Sequence, residues 1–285
     1  MPIRVYVFLV VAMISVSSTS LVIRHVSLVP ALTLAFWRML SASGMLWLYS
    51  AKQPTNTILA ENRSKIVFAG IFLGLHFALF FIGVRNTSVA SATLLANTGP
   101  IFTAIMAWYS NQRLSKWVYV GLIFSSVGIL SVQGSGLDDG INNLWANLLS
   151  LLSGLCIAIT YVFASKIRKE TDTVTYGKHV FFIAATTIGV IALFSGDSLF
   201  DFNKSAVPWF LFLGLVPSIL GHNLLNYSIK YLSPTAVASV PLGEPVLASI
   251  FGFLLFSEVV PIGALYGGPC ILFGIYLIIK NSTMD

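Results

Sequence analysis

The chain has 285 residues, of which 56% are hydrophobic and 9% are charged, and its formal net charge is +6. About a quarter of the residues of an ordinary soluble domain are charged. This composition therefore excludes a soluble globule, whose interior would have to hide too much apolar surface. The basic residues are scattered over short polar interruptions instead of covering one face, which argues against a nucleic-acid-binding protein.

Apolar runs recur along the whole chain, and each is long enough to cross about 30 Å of hydrocarbon as an α-helix. In chain order, hydropathy predicts ten transmembrane helices. Their expected bounds are about 5–23, 29–50, 65–84, 88–110, 115–133, 145–165, 178–195, 206–227, 234–256 and 261–280. The first run continues to Ile23, so we predict a retained first helix instead of a cleaved signal peptide. The expected fold class is an all-α integral membrane protein.

The distribution of basic residues predicts the orientation, because Lys and Arg accumulate in the cytoplasmic loops of membrane proteins. Most of them lie at the set of span ends that includes 51–64 and 166–177, whereas Arg24, Arg85 and Lys204 lie at the opposite ends. This asymmetry predicts that the N- and C-termini are both cytoplasmic. Together with the short loops, it predicts a multi-pass protein of the bacterial inner membrane.

Residues 88–92 resemble residues 233–237, and residues 99–100 resemble residues 244–245. Both pairs have the same offset of 145 positions. Such matched segments are hard to attribute to shared hydrophobicity alone. We therefore predict an internal duplication with five helices in each half.

The predicted halves are residues 1–135 and 140–285. Because five is an odd number of crossings, the second half must enter the membrane from the side opposite to the first. Inverted repeats of this kind are typical of secondary transporters, in which the substrate site lies near the bilayer midplane between the repeats. The expected architecture is therefore ten transmembrane helices in two inverted five-helix repeats.

The chain resembles the drug/metabolite transporter superfamily, in the form of its ten-helix members with two EamA-type repeats. Each half carries a run of small residues, a proline, a short polar hinge and a glycine-rich last helix. These features lie at 90–100, Gln112-Arg113 and 121–128 in the first half, and at 234–245, Glu258 and 267–274 in the second. The resemblance implies transport of a small organic solute, most often export of an amino acid or a related metabolite.

Two positions depart from the pattern of that family. Gln112 occupies the hinge position that is commonly acidic, and Gly99 occupies the position that matches Glu244. If an acidic residue at either position couples transport to an ion in the family, the second half of this chain alone could supply it.

Glu244 is an acidic residue deep within a predicted span, where a carboxylate costs at least a few kcal/mol unless it is paired, protonated or facing a cavity. Pro241 and Pro245 each remove a backbone donor, and Gly243 weakens the helix, so we expect this segment to be kinked or unwound. The functional interpretation is a contact with a substrate ammonium or a proton site. The structural alternative is a cap that holds the broken helix to a neighbour.

Arg38 lies near the middle of the second span and resembles the arginine that family members often carry there. A guanidinium stays charged, so it must find carbonyls, a carboxylate, water or an anionic solute. Recognition of a carboxylate or phosphate is the functional interpretation, and pairing with backbone at a kink is the structural one. Trp37, beside Arg38, is a candidate wall of the cavity.

His76 and His222 lie in the third and eighth spans, and helical spacing predicts that His222 and Asn226 share a face on which both could bind a polar ligand. A histidine titrates near neutral pH, which makes a coupling role conceivable. The alternative for each histidine is an interhelical hydrogen bond. Asn97 precedes Pro100 at the position related to the Glu244 region, so it either faces the cavity or satisfies freed backbone.

The sequence contains no Walker A, HExxH or G-x-S-x-G motif, and its two cysteines lie in apolar runs. We therefore predict that the protein is not an enzyme and has no catalytic residue, cofactor or metal site.

The hypothesis is a secondary transporter whose central cavity is lined by spans one, three and four and by spans six, eight and nine. The predicted partners are a small-molecule substrate and the lipid bilayer, with no nucleic acid and with protons as a candidate coupling ion. The substrate-binding candidates are Glu244, His222, Asn226, His76, Asn97, Arg38 and Trp37. One alternative is a carrier of a nucleotide-linked or phosphorylated solute, and another is a non-transporting membrane sensor or assembly protein.

Overall fold

The computed structural model describes residues 2–52, 57–133, 143–256 and 262–282. These residues form helices joined by short turns. The helices are α1 (Ile3–Val16), α2 (Ser18–His25), α3 (Ala31–Ser50), α4 (Ala60–Asn86), α5 (Val89–Ala96), α6 (Gly99–Tyr109), α7 (Lys116–Gln133), α8 (Leu144–Ile167), α9 (Thr173–Ser195), α10 (Val207–Leu213), α11 (Leu224–Ser228), α12 (Pro234–Ser239), α13 (Glu244–Phe256) and α14 (Ile262–Lys280), with a π-helix at Gly214–Asn223 and 3₁₀ turns at Lys204–Ala206 and Val240–Gly243.

These helices fall into ten segments in the predicted order, which confirms the all-α membrane fold class. The first segment joins α1 and α2, the fourth joins α5 and α6, the eighth runs from α10 to α11 and the ninth from α12 to α13. Within the described ranges, eight segments are long and apolar enough to cross a membrane, and α7 is a shorter apolar helix. The third and seventh spans, which are α4 and α9, begin at Ala60 and Thr173. Both begin earlier than predicted, because hydropathy detects the apolar part of a helix and not its polar first turns.

Contacts between the two halves follow a two-fold pattern. The second span packs on the seventh, the fourth on the ninth and the fifth on the tenth, and each of these pairs joins equivalent spans. The third span packs on the sixth as the eighth packs on the first. Each half therefore completes the other, so neither forms a separate bundle.

The last helices of the two halves, α7 and α14, show that the repeats are inverted. A Cβ atom added to Gly121 would lie 2.6 Å from the carbonyl oxygen of Gly274, and one added to Gly128 would lie 2.6 Å from that of Gly267. The partner's number falls as the residue number rises, so α7 and α14 run antiparallel. Since they are equivalent helices of the two repeats, the second repeat is upside down relative to the first. The predicted boundary near 135–140 and the hinge residue Glu258 lie outside the described residues.

Equivalent residues also begin equivalent helices. Ser88 Oγ accepts a hydrogen bond of 3.1 Å from Ser91 N at the start of α5, and Ser233 Oγ accepts one of 3.2 Å from Ala236 N at the start of α12. A side-chain oxygen at this position satisfies a helix N–H that has no intrahelical partner. The two serines are related by the offset found in the sequence, so the duplication has kept its helix caps.

The glycines between α7 and α14 generate a stability prediction. Replacing Gly128 with Ala puts a methyl group against backbone atoms of α14, which cannot move aside as a flexible side chain would. We expect Gly128→Ala to destabilise the folded protein by about 1–3 kcal/mol, measured as a lower melting temperature in detergent. Gly44→Ala is the control, because a Cβ atom at Gly44 meets nothing within 4 Å. Equal melting temperatures for the two variants would contradict the close packing of α7 on α14.

Candidate functional site

A cavity of about 60 Å³ lies between the two halves, near the middle of the bundle. Spans one, three, four, six, eight and nine line it, as predicted from the sequence, and the second span adds Arg38. Its lining residues are Val16, Thr19, Arg38, His76, Phe77, Phe80, Ala96, Asn97, Gly99, Pro100, Ile157, Tyr161, His222, Ala238, Pro241 and Glu244.

Breaks in the fourth and ninth spans bring polar groups into this cavity. α5 ends at Ala96 and α6 begins at Gly99, and the ninth span tightens to a 3₁₀ turn at Val240–Gly243. The segment before Glu244 that was expected to be kinked or unwound is therefore a break in the α-helix, in the form of a tighter 3₁₀ turn. The two breaks meet, because Asn97 Nδ2 lies 3.5 Å from the carbonyl oxygen of Pro241. Irregular backbone at membrane depth is tolerated where it is buried in protein or lines a cavity.

Glu244 is the first residue of α13 and is 8% exposed. Its Oε1 accepts a 2.7 Å hydrogen bond from Ser20 Oγ, which belongs to α2. Asn97 and Arg38 line the same cavity. The carboxylate is thus bound by the first span and still borders the cavity.

Arg38 is completely buried. Its Nε donates a 2.9 Å hydrogen bond to Ser218 Oγ, and its Nη1 lies 3.5 Å from Thr19 Oγ1. The guanidinium carbon also lies 4.2 Å from the centre of the Phe77 ring, a cation–π distance. Among the described residues, its Nη2 has no hydrogen-bond partner and no carboxylate lies within ion-pair distance. The cation therefore keeps one donor without a partner in this part of the chain.

The π-helix in the eighth span explains how Arg38 is held. Pro217 has no N–H to offer to the Leu213 carbonyl four residues earlier, and Ser218 Oγ donates to that carbonyl at 2.8 Å. The same hydroxyl accepts from Arg38. A π-helix within a span commonly marks a functional site, and here it places the hydroxyl group that orients the buried cation.

The two cavity histidines differ in their surroundings. His76 Nδ1 lies 3.0 Å from the carbonyl oxygen of Ser153 and 2.8 Å from its Oγ. His222 Nδ1 is buried without a hydrogen-bond partner among the described residues, and the two rings are 6.2 Å apart between centroids. His76 therefore has the interhelical bonds of a structural residue, while His222 retains a nitrogen for a solute.

Trp37 and Asn226 do not lie among the residues that line the cavity. Trp37 Nε1 donates a 2.7 Å bond to the carbonyl oxygen of Leu199, and its ring stacks on Phe210. Neighbouring residues on an α-helix point about 100° apart, so the proximity of Trp37 to Arg38 in the sequence does not put both in one cavity. Asn226 follows the π-helix, whose wider turn shifts the helical register, and its carbonyl oxygen accepts from Arg168 Nε.

Sequence reasoning missed the roles of Ser218, Phe77 and Tyr161. Pro217 within an apolar span is a signal that could have found Ser218, since a proline there frees a carbonyl for a neighbouring hydroxyl. Phe77 and Tyr161 carry no such signal, because aromatic residues are frequent in every span. The Tyr161 hydroxyl is buried and has no hydrogen-bond partner in the part of the chain that the structure describes, and Tyr161 lines the cavity.

Broken helices that face a polar cavity between two inverted halves define a multi-pass membrane transporter. The model of the EamA-like transporter family matches the chain twice, over residues 3–133 and 144–280. The chain therefore belongs to the EamA-like transporter family, and it is not an enzyme.

Named relatives agree with this family. The chain is 24% identical to an uncharacterized transporter of Archaeoglobus fulgidus over 86% of both chains, and 25% identical to the uncharacterized transporter YdfC of Bacillus subtilis over 88% of this chain and 83% of that protein. It is 28% identical to the threonine/homoserine exporter RhtA of Escherichia coli over 70% of this chain and 65% of that protein. A crystal structure with a TM-score of 0.77 and 12% identity covers 97% of this chain and 96% of its own, which shows the shared fold.

The contact between Ser218 and Arg38 generates a second prediction. Ser218→Ala leaves the buried Arg38 Nε and the Leu213 carbonyl without their hydroxyl partner, so we expect it to destabilise the protein by about 1–3 kcal/mol. The measurement is the melting temperature of the purified protein. The matched control is Ser131→Ala, because Ser131 is exposed and bonds only within its own helix. A Ser218→Ala variant as stable as this control would show that the hydroxyl does not hold Arg38.

Proposed function

We propose that this transporter exports a small amino acid, or a closely related metabolite, from the cytoplasm across the bacterial inner membrane. The observation that carries the proposal is the pair Arg38 and Glu244, which border one cavity without forming an ion pair with each other. A free guanidinium donor is complementary to a carboxylate, and a carboxylate is complementary to an ammonium group. An amino acid carries both groups on one carbon atom.

The rest of the cavity wall favours a small solute. Phe77, Phe80, Ile157 and Val16 give it an apolar surface, which suits a short side chain with few charges. Arg38 is the one cation among the described lining residues, so a solute with several phosphate groups would lack counter-charges. This arrangement supports an amino acid over a nucleotide-linked or phosphorylated solute.

Transport would proceed by alternating access between the inverted halves, with protons as the coupling ion that the cavity residues could serve. His76, His222 and Glu244 are titratable groups on the cavity wall. The excess of basic residues at the set of span ends that includes both termini supports cytoplasmic termini. The Escherichia coli relative RhtA is named a threonine/homoserine exporter, which supports amino-acid export here.

The direct test is flux in liposomes that contain the purified protein. A panel of radiolabelled amino acids, sugars and nucleotides is loaded, and counterflow is measured with and without a pH gradient. We expect flux of small neutral amino acids and none of nucleotides. Flux of nucleotides alone, or of no solute, would overturn the proposal.

The role of Arg38 is tested with a pair of solutes that differ in one group. The wild type should prefer the transported amino acid over its carboxamide, which lacks the carboxylate. In Arg38→Gln this preference should fall at least about tenfold, since a hydrogen bond to a charged group contributes about 1.5–3 kcal/mol. Lys178→Gln is the control, because Lys178 is a buried cation that does not line the cavity. An unchanged preference in Arg38→Gln would show that Arg38 does not bind the carboxylate of the substrate.

The role of Glu244 is tested with the 2-hydroxy analogue, which has a hydroxyl group in place of the ammonium. The wild type should prefer the amino acid because a carboxylate attracts the ammonium, and Glu244→Gln should reduce that preference about tenfold. The readout is the ratio of kcat/KM for the two solutes, which does not depend on the amount of folded protein. Glu61→Gln, an exposed acidic position at the start of α4, is the control. If Glu244→Gln keeps the wild-type ratio, the ammonium binds elsewhere.

A further inference from the structure

A second and wider space opens at one end of the bundle. We call it the basic vestibule. Its volume is about 550 Å³, and its lining residues are Thr103, Met106, Ala107, Ser110, Gln112, Arg113, Leu114, Ser115, Val162, Ser165, Lys166, Lys169, Ser233, Pro234, Thr235, Asn281 and Ser282. They come from the fourth, sixth, ninth and tenth spans and from the turns beside them. By the distribution of basic residues, this is the end proposed to face the cytoplasm.

The basic vestibule adjoins the central cavity along three spans. Pro100 lines the cavity and Thr103 lines the vestibule one helical turn later, where its hydroxyl bonds the Pro100 carbonyl at 2.9 Å. In the sixth span, Tyr161 lines the cavity and the next residue, Val162, lines the vestibule. The ninth span contributes residues to the vestibule and, within two turns, to the cavity. A solute in the vestibule is therefore one helical turn from the cavity.

The opposite end of the bundle is packed. There the Arg85 guanidinium donates hydrogen bonds to the carbonyl oxygens of Val26, Ser27 and Val29. Trp37 packs against the loop that follows α9 through its bond to Leu199. The described residues thus leave the wider approach to the cavity at the end that carries the basic vestibule.

Charge in the basic vestibule has one sign. Arg113, Lys166 and Lys169 line it, and no carboxylate lies among its described lining residues. None of these three cations has an ion pair among the described residues. Cations that line a concave, low-dielectric surface focus the field and raise the local concentration of anionic groups.

A buried polar group points to a bound solute as well. Ser282 is 7% exposed, and its Oγ has no hydrogen-bond partner among the described residues although it lines the vestibule. The Ser282 carbonyl oxygen accepts from Ser233 N at 3.0 Å. Buried hydroxyl groups are normally hydrogen-bonded to protein, water or an ion, and a carboxylate oxygen is a suitable acceptor for this one.

From this geometry we infer that the basic vestibule is a capture site that binds solutes by a carboxylate group before they enter the central cavity, and that it discriminates against cationic solutes. The inference rests on the proposed function, since it assigns the order of binding and the charge class of the same substrate. The carboxylate passes from Arg113, Lys166 and Lys169 to Arg38, the next cation on the path. Neutral and acidic amino acids fit this path, whereas basic amino acids are repelled at its entrance.

The charge selectivity can be measured without transport. The two native cysteines, Cys156 and Cys270, are first replaced by Ala, and Ser165 is then replaced by Cys. The new thiol is modified with an anionic or a cationic methanethiosulfonate of similar size. We expect the ratio of anionic to cationic modification rates to fall about tenfold when Arg113, Lys166 and Lys169 are all changed to Gln. High salt should lower the wild-type ratio in the same direction. Equal ratios in the two backgrounds would overturn the inference, whatever the protein transports.

A transport assay then tests whether the carboxylate that the basic vestibule binds belongs to the substrate. In the Arg113→Gln/Lys166→Gln/Lys169→Gln variant we expect KM to rise about threefold for a neutral amino acid and about tenfold for an acidic one, with kcat unchanged. KM for a cationic amino acid should not rise. The matched control is Lys52→Gln/Arg63→Gln/Lys230→Gln, which removes three exposed cations that do not line the vestibule. The same KM values in both triple variants would overturn the inference.

A lipid phosphate shares the chemistry of a solute carboxylate, so the transport assay is run in two kinds of liposome. If the three cations bind solute, the rise in KM persists in pure phosphatidylcholine. If they bind anionic headgroups, the effect appears only when phosphatidylglycerol is included, which would overturn the inference. Absence of amino-acid flux in the wild type refutes the proposed function itself, and the thiol assay still decides the charge selectivity of the vestibule.

Discussion

Arg38 sets the constraint on which the centre of this bundle depends. A guanidinium within the span of a membrane cannot lose its charge and cannot remain unsatisfied. The bundle meets that constraint with a hydroxyl group from the eighth span, a hydroxyl group from the first and the face of an aromatic ring from the third. One cation thus joins four spans from both halves, and one of its donors has no partner among the described residues.

Backbone irregularity supplies the rest of the cavity. In lipid, a helix can lose hydrogen bonds only where other groups replace them, so the breaks in the fourth and ninth spans lie against each other and not against the bilayer. Asn97 reaches from one break to the Pro241 carbonyl of the other. The same breaks that weaken two helices therefore create the polar wall on which a solute could bind.

The duplication makes the helix scaffold symmetric, but the two halves differ in the side chains that they bring to the cavity. Ser88 and Ser233 cap equivalent helices, and the glycines of α7 and α14 meet in reciprocal pairs. Gly99 and Glu244 occupy equivalent positions and both line the cavity, yet Glu244 alone carries charge. A Cβ atom at Gly99 would lie 3.3 Å from Ile157, so the first half uses this position for close packing and the second uses it for electrostatics.

The sequence by itself determined the ten spans, the inverted duplication and most of the polar residues that line the cavity, because hydrophobic length, repeat spacing and the cost of burying a charge can be read from the sequence. Arg38, His76, Asn97, His222 and Glu244 were found in this way, since each is a polar group that hydrocarbon would exclude. Tertiary structure alone decided that Trp37 and Asn226 lie away from the cavity, that Ser218 holds Arg38, and that basic residues at the ends of the fourth and sixth spans line one vestibule. Those outcomes depend on helix rotation, on the wider turn of the π-helix and on which loops meet at the end of the bundle. All three are set by packing between spans that are distant in the sequence.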